Sequence, residues 1–157
     1  MSDHRLSKNF TRNEFLRTSY GQFQSDNIKE GMELVGTLTQ LAAGIMQRIR
    51  DKWGPITITS GYRCKGLNDA VGSNDRSQHL RGEACDFVMR SVPMNDPEKK
   101  QEFFDWLKAE YDCGTIAFNQ CLEERACIHI ALPTGSNDGR IGAWAKGKVT
   151  KRKKKNV

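Results

Sequence analysis

The chain has no run of about 18 apolar residues, so no segment is expected to cross a bilayer as a helix. Its N-terminus, MSDHRLSKNFTRNEF, lacks the apolar h-region of a secretory signal. Synthesis in a cytoplasm is therefore expected, with retention there unless something else releases the protein. Histidine is scarce, at positions 4, 79 and 129 alone. Cysteine is present, but not as a framework. The five residues at 64, 85, 113, 121 and 127 are odd in number and lie in ordinary segments, which points to reduced thiols. Cys113, Cys121, Cys127 and His129 follow C-x7-C-x5-C-x-H, which lacks the paired C-x2-4-C of structural zinc sites.

Charge of one sign is missing from one segment. Lys146 to Lys155 (KGKVTKRKKK) holds seven basic residues and no acid; without those seven, the formal charge of +6 becomes −1. The basic character thus belongs to a tail, and residues 146–157 are expected to be disordered. The tail has no interleaved aromatics for base stacking, which weighs against a nucleic-acid partner despite its phosphate-seeking charge. Residues 1–145 are expected to form one domain, for which a 37% hydrophobic content is low but sufficient.

Thr11 followed by Glu14 fits a capping box, with Phe10 and Phe15 placed as its hydrophobic staple, so a short helix is predicted at about 12–17. Residues 20–29 are polar and read as a surface loop. From Lys29 to Lys52, Met32, Val35, Leu38, Leu41, Ala42, Ile45, Met46 and Ile49 recur at helical spacing. Gly54-Pro55 ends that helix. Ile56–Thr59 and Ala84–Met89 read as strands, with a short helix possible at 64–71 between them. Asp96-Pro97-Glu98 opens a second long helix running to about Tyr111. Two short strands are predicted near 115–119 and 127–132, with Glu123-Glu124-Arg125 in the turn of a hairpin. A last edge strand is predicted at 143–145. Helices gathered around a small antiparallel or mixed sheet make an α+β domain.

His79 and Asp86 are separated as H-x6-D, at the end of a turn-rich loop and on the following strand. His129 lies in an apolar alternating strand, where a polar ring needs a partner. Hydrolytic zinc sites use three protein ligands and keep a fourth position open. If zinc is bound, His79, Asp86 and His129 are the economical ligand set. Taken singly, each also reads as a solvated or hydrogen-bonded side chain, so the pair alone is weak.

A longer pattern is more specific. Ser60-Gly61-Tyr62-Arg63, then Leu67 to Gly72 (LNDAVG), then Ser77-Gln78-His79-Leu80-Arg81-Gly82-Glu83-Ala84-Cys85-Asp86-Phe87 resembles the D-Ala-D-Ala carboxypeptidase family of zinc peptidases. The likeness covers roughly residues 8–132, including NFTRNEF and the histidine strand near the C-terminus. Ser73 departs from it, since a second glycine is usual there. The resemblance implies a Hedgehog/D,D-peptidase-like fold, zinc on His79, Asp86 and His129, and Arg63 facing a carbonyl or carboxylate of the substrate. It implies that Ser77 and Gln78 help orient that substrate. It also implies an acid as general base: Phe118 to Glu124 (FNQCLEE) aligns with a relative pattern that makes Glu124 the base, with Glu123 as the alternative. Asn119 and Cys127 depart from that pattern.

The function implied is cleavage of peptidoglycan stem peptides, as a carboxypeptidase or endopeptidase, by a monomer. A phage or bacterial wall hydrolase acting after release is the expected setting, with the basic tail drawn to anionic envelope polymers. The alternative is a non-catalytic wall-binding or virion structural protein of the same fold.

Overall fold

The computed structural model describes residues 3–134. The tail and the edge strand predicted at 143–145 lie outside the described residues. Helix α1 (Arg12–Leu16) starts where the capping box predicts, with the Thr11 N–H donating to the Glu14 carboxylate at 2.8 Å. Phe10 and Phe15 meet beneath it with ring centroids 5.9 Å apart.

The segment expected to be a surface loop at 20–29 is largely helical. A 3-10 turn (Gly21–Phe23) leads into α2 (Gln24–Gly31), and a second such turn (Met32–Leu34) joins it to α3 (Val35–Leu41). Tertiary hydrogen bonds override the polar composition. Asn27 is fully buried; its side-chain amide donates to the carbonyls of Leu16 and Tyr62, and its oxygen accepts from the Cys64 N–H. The tight turn at 32–34 also shifts the helical phase, so Met32 leaves the apolar stripe and is 44% exposed.

After α3 the helix widens for one π-type turn (Ala42–Met46) and continues as α4 (Gln47–Trp53). Leu38, Leu41, Ala42, Ile45, Met46 and Ile49 form its buried side. Gly54 ends it at φ +85°, a conformation that L side chains rarely adopt.

Four strands follow: β1 (Ile56–Ser60), β2 (Ala84–Met89), β3 (Gln120–Glu123) and β4 (Ile128–Ala131). They form one sheet in the order β1-β2-β4-β3, and every pairing is antiparallel. The domain is therefore α+β with an antiparallel sheet. Strand β3 begins later than the predicted 115–119. There, the N–H groups of Thr115 and Ile116 bond back to the Glu110 carbonyl to close the helix before them, so they are not free to pair in a sheet. That helix, α6 (Pro97–Asp112), has Asp96 as its N-cap, accepting from the Lys99 N–H. The short helix between β1 and β2 is α5 (Lys65–Ala70).

Alternation along the strands separates two faces. Ile58, Cys85, Phe87, Cys121, Ile128 and Ile130 share one, and all lie in the core with the helices. Asp86, His129 and Gln120 share the other. The sheet thus turns one apolar face to the core and gathers Asp86, His129 and Gln120 on the other.

Asn27 ties α1, α2 and the segment after β1 together. Asn27→Ala is expected to leave three buried backbone groups unpaired, at about 1–3 kcal/mol for each one left dry. Urea unfolding should therefore show a loss of at least about 2 kcal/mol.

Candidate metal centre

Register brings the polar residues together. Asp86 on β2 and His129 on β4 are direct cross-strand partners, so their side chains leave the sheet on the same face. His129 Nδ1 lies 2.8 Å from Asp86 Oδ1. His79 arrives from a 3-10 turn (Gln78–Arg81) that Ser77 caps, its Oγ accepting from the His79 N–H at 3.2 Å. Gly82 closes this turn in the left-handed conformation, at φ +68°. His79 Nε2 then stands 3.3 Å from Asp86 Oδ1.

The loop after β1 fixes which nitrogen of His79 faces the site. Its Nδ1 is 2.7 Å from the Gly61 carbonyl, which can only accept, so Nδ1 carries the proton and Nε2 presents a lone pair. Gly61 must be glycine for this. A Cβ there would sit 2.3 Å from the Phe15 carbonyl oxygen, and the neighbouring Tyr62 N–H bonds that same oxygen.

These donors fit a metal ion. A neutral imidazole lone pair and a carboxylate oxygen are both acceptors, and they face one another across 3.3 Å. That separation matches the edge of a tetrahedron with bonds of about 2.0–2.1 Å, roughly 3.3 Å. The ligand atoms of His79, Asp86 and His129 all lie within 4.8 Å of each other, and all three residues are buried. Burial holds His79 below the usual imidazole range, with Asp86 opposing the shift and Arg63 and His129 adding to it. Burial would raise the Asp86 carboxyl, but the facing histidines hold it well below the usual carboxylate range. A neutral imidazole and an ionised carboxylate are the protonation states that metal binding requires.

The surrounding residues line a cleft of about 350 Å³ whose wall includes Arg63, Ser77, Gln78, Gln120 and Glu124. Arg63 is held by Ser60 Oγ at 3.2 Å, Asn68 Oδ1 at 3.3 Å and Asp86 Oδ2 at 3.4 Å. Gln78 is deeply buried. Its amide donates to the Leu132 carbonyl, the Thr134 hydroxyl and the Glu83 carboxylate, which ties the exit of β4 to the histidine turn.

The two candidate acids part company. Glu123 pairs with Lys100 of α6 at 2.5 Å, whereas Glu124 stands in the cleft wall. The Glu124 N–H bonds the Cys127 carbonyl at 2.8 Å, closing the tight β3–β4 turn. Glu124 and Cys127 together with Asp86 also bring ligand-type atoms within 4.8 Å of one another. Burial, helped by the Asp86 and Glu124 charges, pushes the Cys127 thiol up to about 12. Ser73 needs no glycine, because among the described residues positive φ occurs at glycines alone and Gly72 supplies the turn at +79°. The four-residue set Cys113, Cys121, Cys127 and His129 does not converge. Cys113 is exposed, Cys121 is buried on the core face, and the five cysteines are free. Asn27 carries no ligand chemistry in the sequence, so only the spatial arrangement reveals it; Gly61 stands in the motif at 60–63, but its hold on His79 shows only in the fold.

An unfolded aspartate titrates near 3.9. Because folded Asp86 titrates lower, its stabilising contribution is complete above about pH 5 and is lost as the pH falls below about 4 toward the folded value. Urea unfolding of the metal-free protein from pH 7 to pH 3 is expected to show this loss, and Asp86→Asn should remove that part of the profile. The same slope in both proteins would overturn the assignment.

No described helix is long and apolar enough to cross a membrane. No curated protein matches the chain. The family model for Peptidase M15 does match, over residues 8–130, a span that includes the histidine turn, β2 and most of β4. On that match, and with a buried His-Asp-His cluster at the head of an open cleft, the chain belongs to the Peptidase M15 family of metallopeptidases.

Proposed function

We propose that this protein is a zinc peptidase that cleaves peptidoglycan stem peptides. The observation that carries the reading is the company kept by the ligand cluster. His79, Asp86 and His129 gather on the polar face of the sheet, beside a cleft whose wall also carries a guanidinium and a carboxylate. Metallopeptidase chemistry needs those parts within reach of one bond.

His79, Asp86 and His129 would hold the ion. Zinc supplies Lewis-acid polarisation of a carbonyl and makes a water acidic enough to attack near neutral pH. Glu124 is the general base, taking the proton of the attacking water and returning it to the leaving amine. Glu123 is poorly suited to that role because its carboxylate is engaged by Lys100. Arg63 presents a guanidinium to the oxyanion that develops on the carbonyl. Its bonds to Ser60, Asn68 and Asp86 orient it before substrate arrives. Ser77 lines the cleft and helps orient the substrate, while Gln78 acts mainly by fixing the turn that carries His79. The carboxylate in the cleft favours a catalytic role over one of wall binding alone.

The protein acts on the wall after release from a cytoplasm, in the manner of a phage or bacterial wall hydrolase. Residues 1–145 serve as the catalytic domain, and the basic segment 146–157 draws the enzyme to anionic envelope polymers.

Amine release from purified peptidoglycan, measured beside zinc content, tests the reading. The wild type is expected to bind one zinc and release amines. His79→Ala should lose both. Glu124→Gln should keep zinc while losing about 100-fold or more in rate, and Glu123→Gln should stay within a few-fold of wild type. Stoichiometric zinc without hydrolysis of any stem peptide would sink the proposal.

A further inference from the structure

Gln120 opens β3 and lines the cleft from the polar face of the sheet. It is 7% exposed, yet among the described residues its side chain has no hydrogen-bond partner. Its own row of the sheet offers none. Ala131 stands directly opposite on β4, and Ala84 continues the row on β2, so the residues beside it present only methyl groups. The other carboxamides of the cleft wall are engaged within the protein. Gln78 donates to Leu132, Thr134 and Glu83, and Asn74 accepts from the Arg76 N–H. A nearly buried carboxamide without a partner lowers stability, because it gives up hydrogen bonds to water and gains none in return. A ligand in the cleft would complete it.

The chemistry of that ligand follows from the group itself. A carboxamide donates through Nε2 and accepts through Oε1, and a peptide group offers the complementary carbonyl and N–H. Position agrees with this. Gln120 pairs with Ala131, two residues beyond His129 on β4, a step of about 7 Å along the sheet. Successive residues of an extended chain are about 3.5 Å apart. With one substrate carbonyl at the ligand cluster, another peptide group of the same chain therefore lies within reach of Gln120.

We infer that Gln120 is a substrate-binding residue, whose carboxamide pairs with an uncleaved peptide group close to the scissile bond. The inference rests on the peptidase reading and adds to it a contact that reads the substrate backbone. Gln120 carries no charge, so it selects for an amide at that place in the substrate and not for an ionised group.

The test is calorimetric binding to zinc-loaded Glu124→Gln protein, which retains the peptide uncleaved. The probes are a synthetic stem tetrapeptide and a set of analogues, each with one amide replaced by an ester. An ester lacks the N–H and leaves Gln120 Oε1 unpaired. One ester is expected to bind about tenfold more weakly than the all-amide peptide, which identifies the peptide group that is read. Adding Gln120→Met, of similar size, should bring that ratio near one. The same substitution should leave the urea midpoint of the zinc-loaded protein unchanged or raised, since it removes a polar group that has no partner. The contact is overturned if no probe binds, if no ester binds more weakly, or if Gln120→Met keeps the full ratio. A lowered urea midpoint in Gln120→Met would also overturn it, by marking Gln120 as a structural residue. The two readings fail separately. Hydrolysis by the wild type, with an unchanged ester ratio in Gln120→Met, removes the contact and leaves the peptidase. An ester penalty that depends on Gln120, without hydrolysis by the wild type, removes the peptidase and leaves the contact.

Discussion

An ionised carboxylate buried in a sheet must be surrounded by positive charge or by N–H donors, and Asp86 organises the molecule around that need. Its 6% exposure leaves little room for water to solvate it. His129 meets it across the strand pair and Arg63 from the loop after β1, while His79 turns its Nε2 toward it from a capped turn. Each of these side chains comes from a different element, so the position of Asp86 fixes how β1, β2, β4 and the histidine turn must assemble.

The scaffold meets that demand with backbone contacts as much as with side chains. Gly61 lets the chain pass close against Phe15, which leaves its carbonyl free to hold the His79 ring. Asn27 binds backbone groups on both sides of that loop, from α1 and from residues 62 and 64. Helices that look peripheral to the chemistry therefore set which nitrogen of His79 faces Asp86. Beneath the sheet, apolar residues from every strand and from the long helix form one continuous core, which keeps the polar face rigid.

Electrostatic character changes along the cleft. Around the ligand cluster it is mixed, with Arg63 and Glu124 on the same wall and a protonated Cys127 beside the acid. Past Arg63 the wall carries Arg17, several hydroxyls and the apolar Leu67 and Val71. Arg63 belongs to the walls of both regions.

The sequence by itself determined the elements with strong periodicity and clear punctuation. Strand β2 spans 84–89 as its alternation predicts, α6 begins at its Asp-Pro start, and Gly54 ends α4. The order of motifs from Ser60 to Phe87 also made the family legible, because many residue types must coincide to produce it. Local pattern failed where distant hydrogen bonds decide the outcome. The polar segment 20–29 is mostly helix because Asn27 is satisfied by residues far from it in sequence. Thr115 and Ile116 close a helix and do not extend β3. For Glu123 and Glu124 the sequence offered the family pattern, which favoured Glu124, and no local signal of which acid lines the cleft. Adjacent residues at a strand end point to different sides, and only the packing of Lys100 against one of them tells which acid faces the cleft. Residue types and their order are local properties of a chain, whereas the meeting of Asp86, His129 and His79 depends on register and turn geometry, which exist only once the sheet has formed.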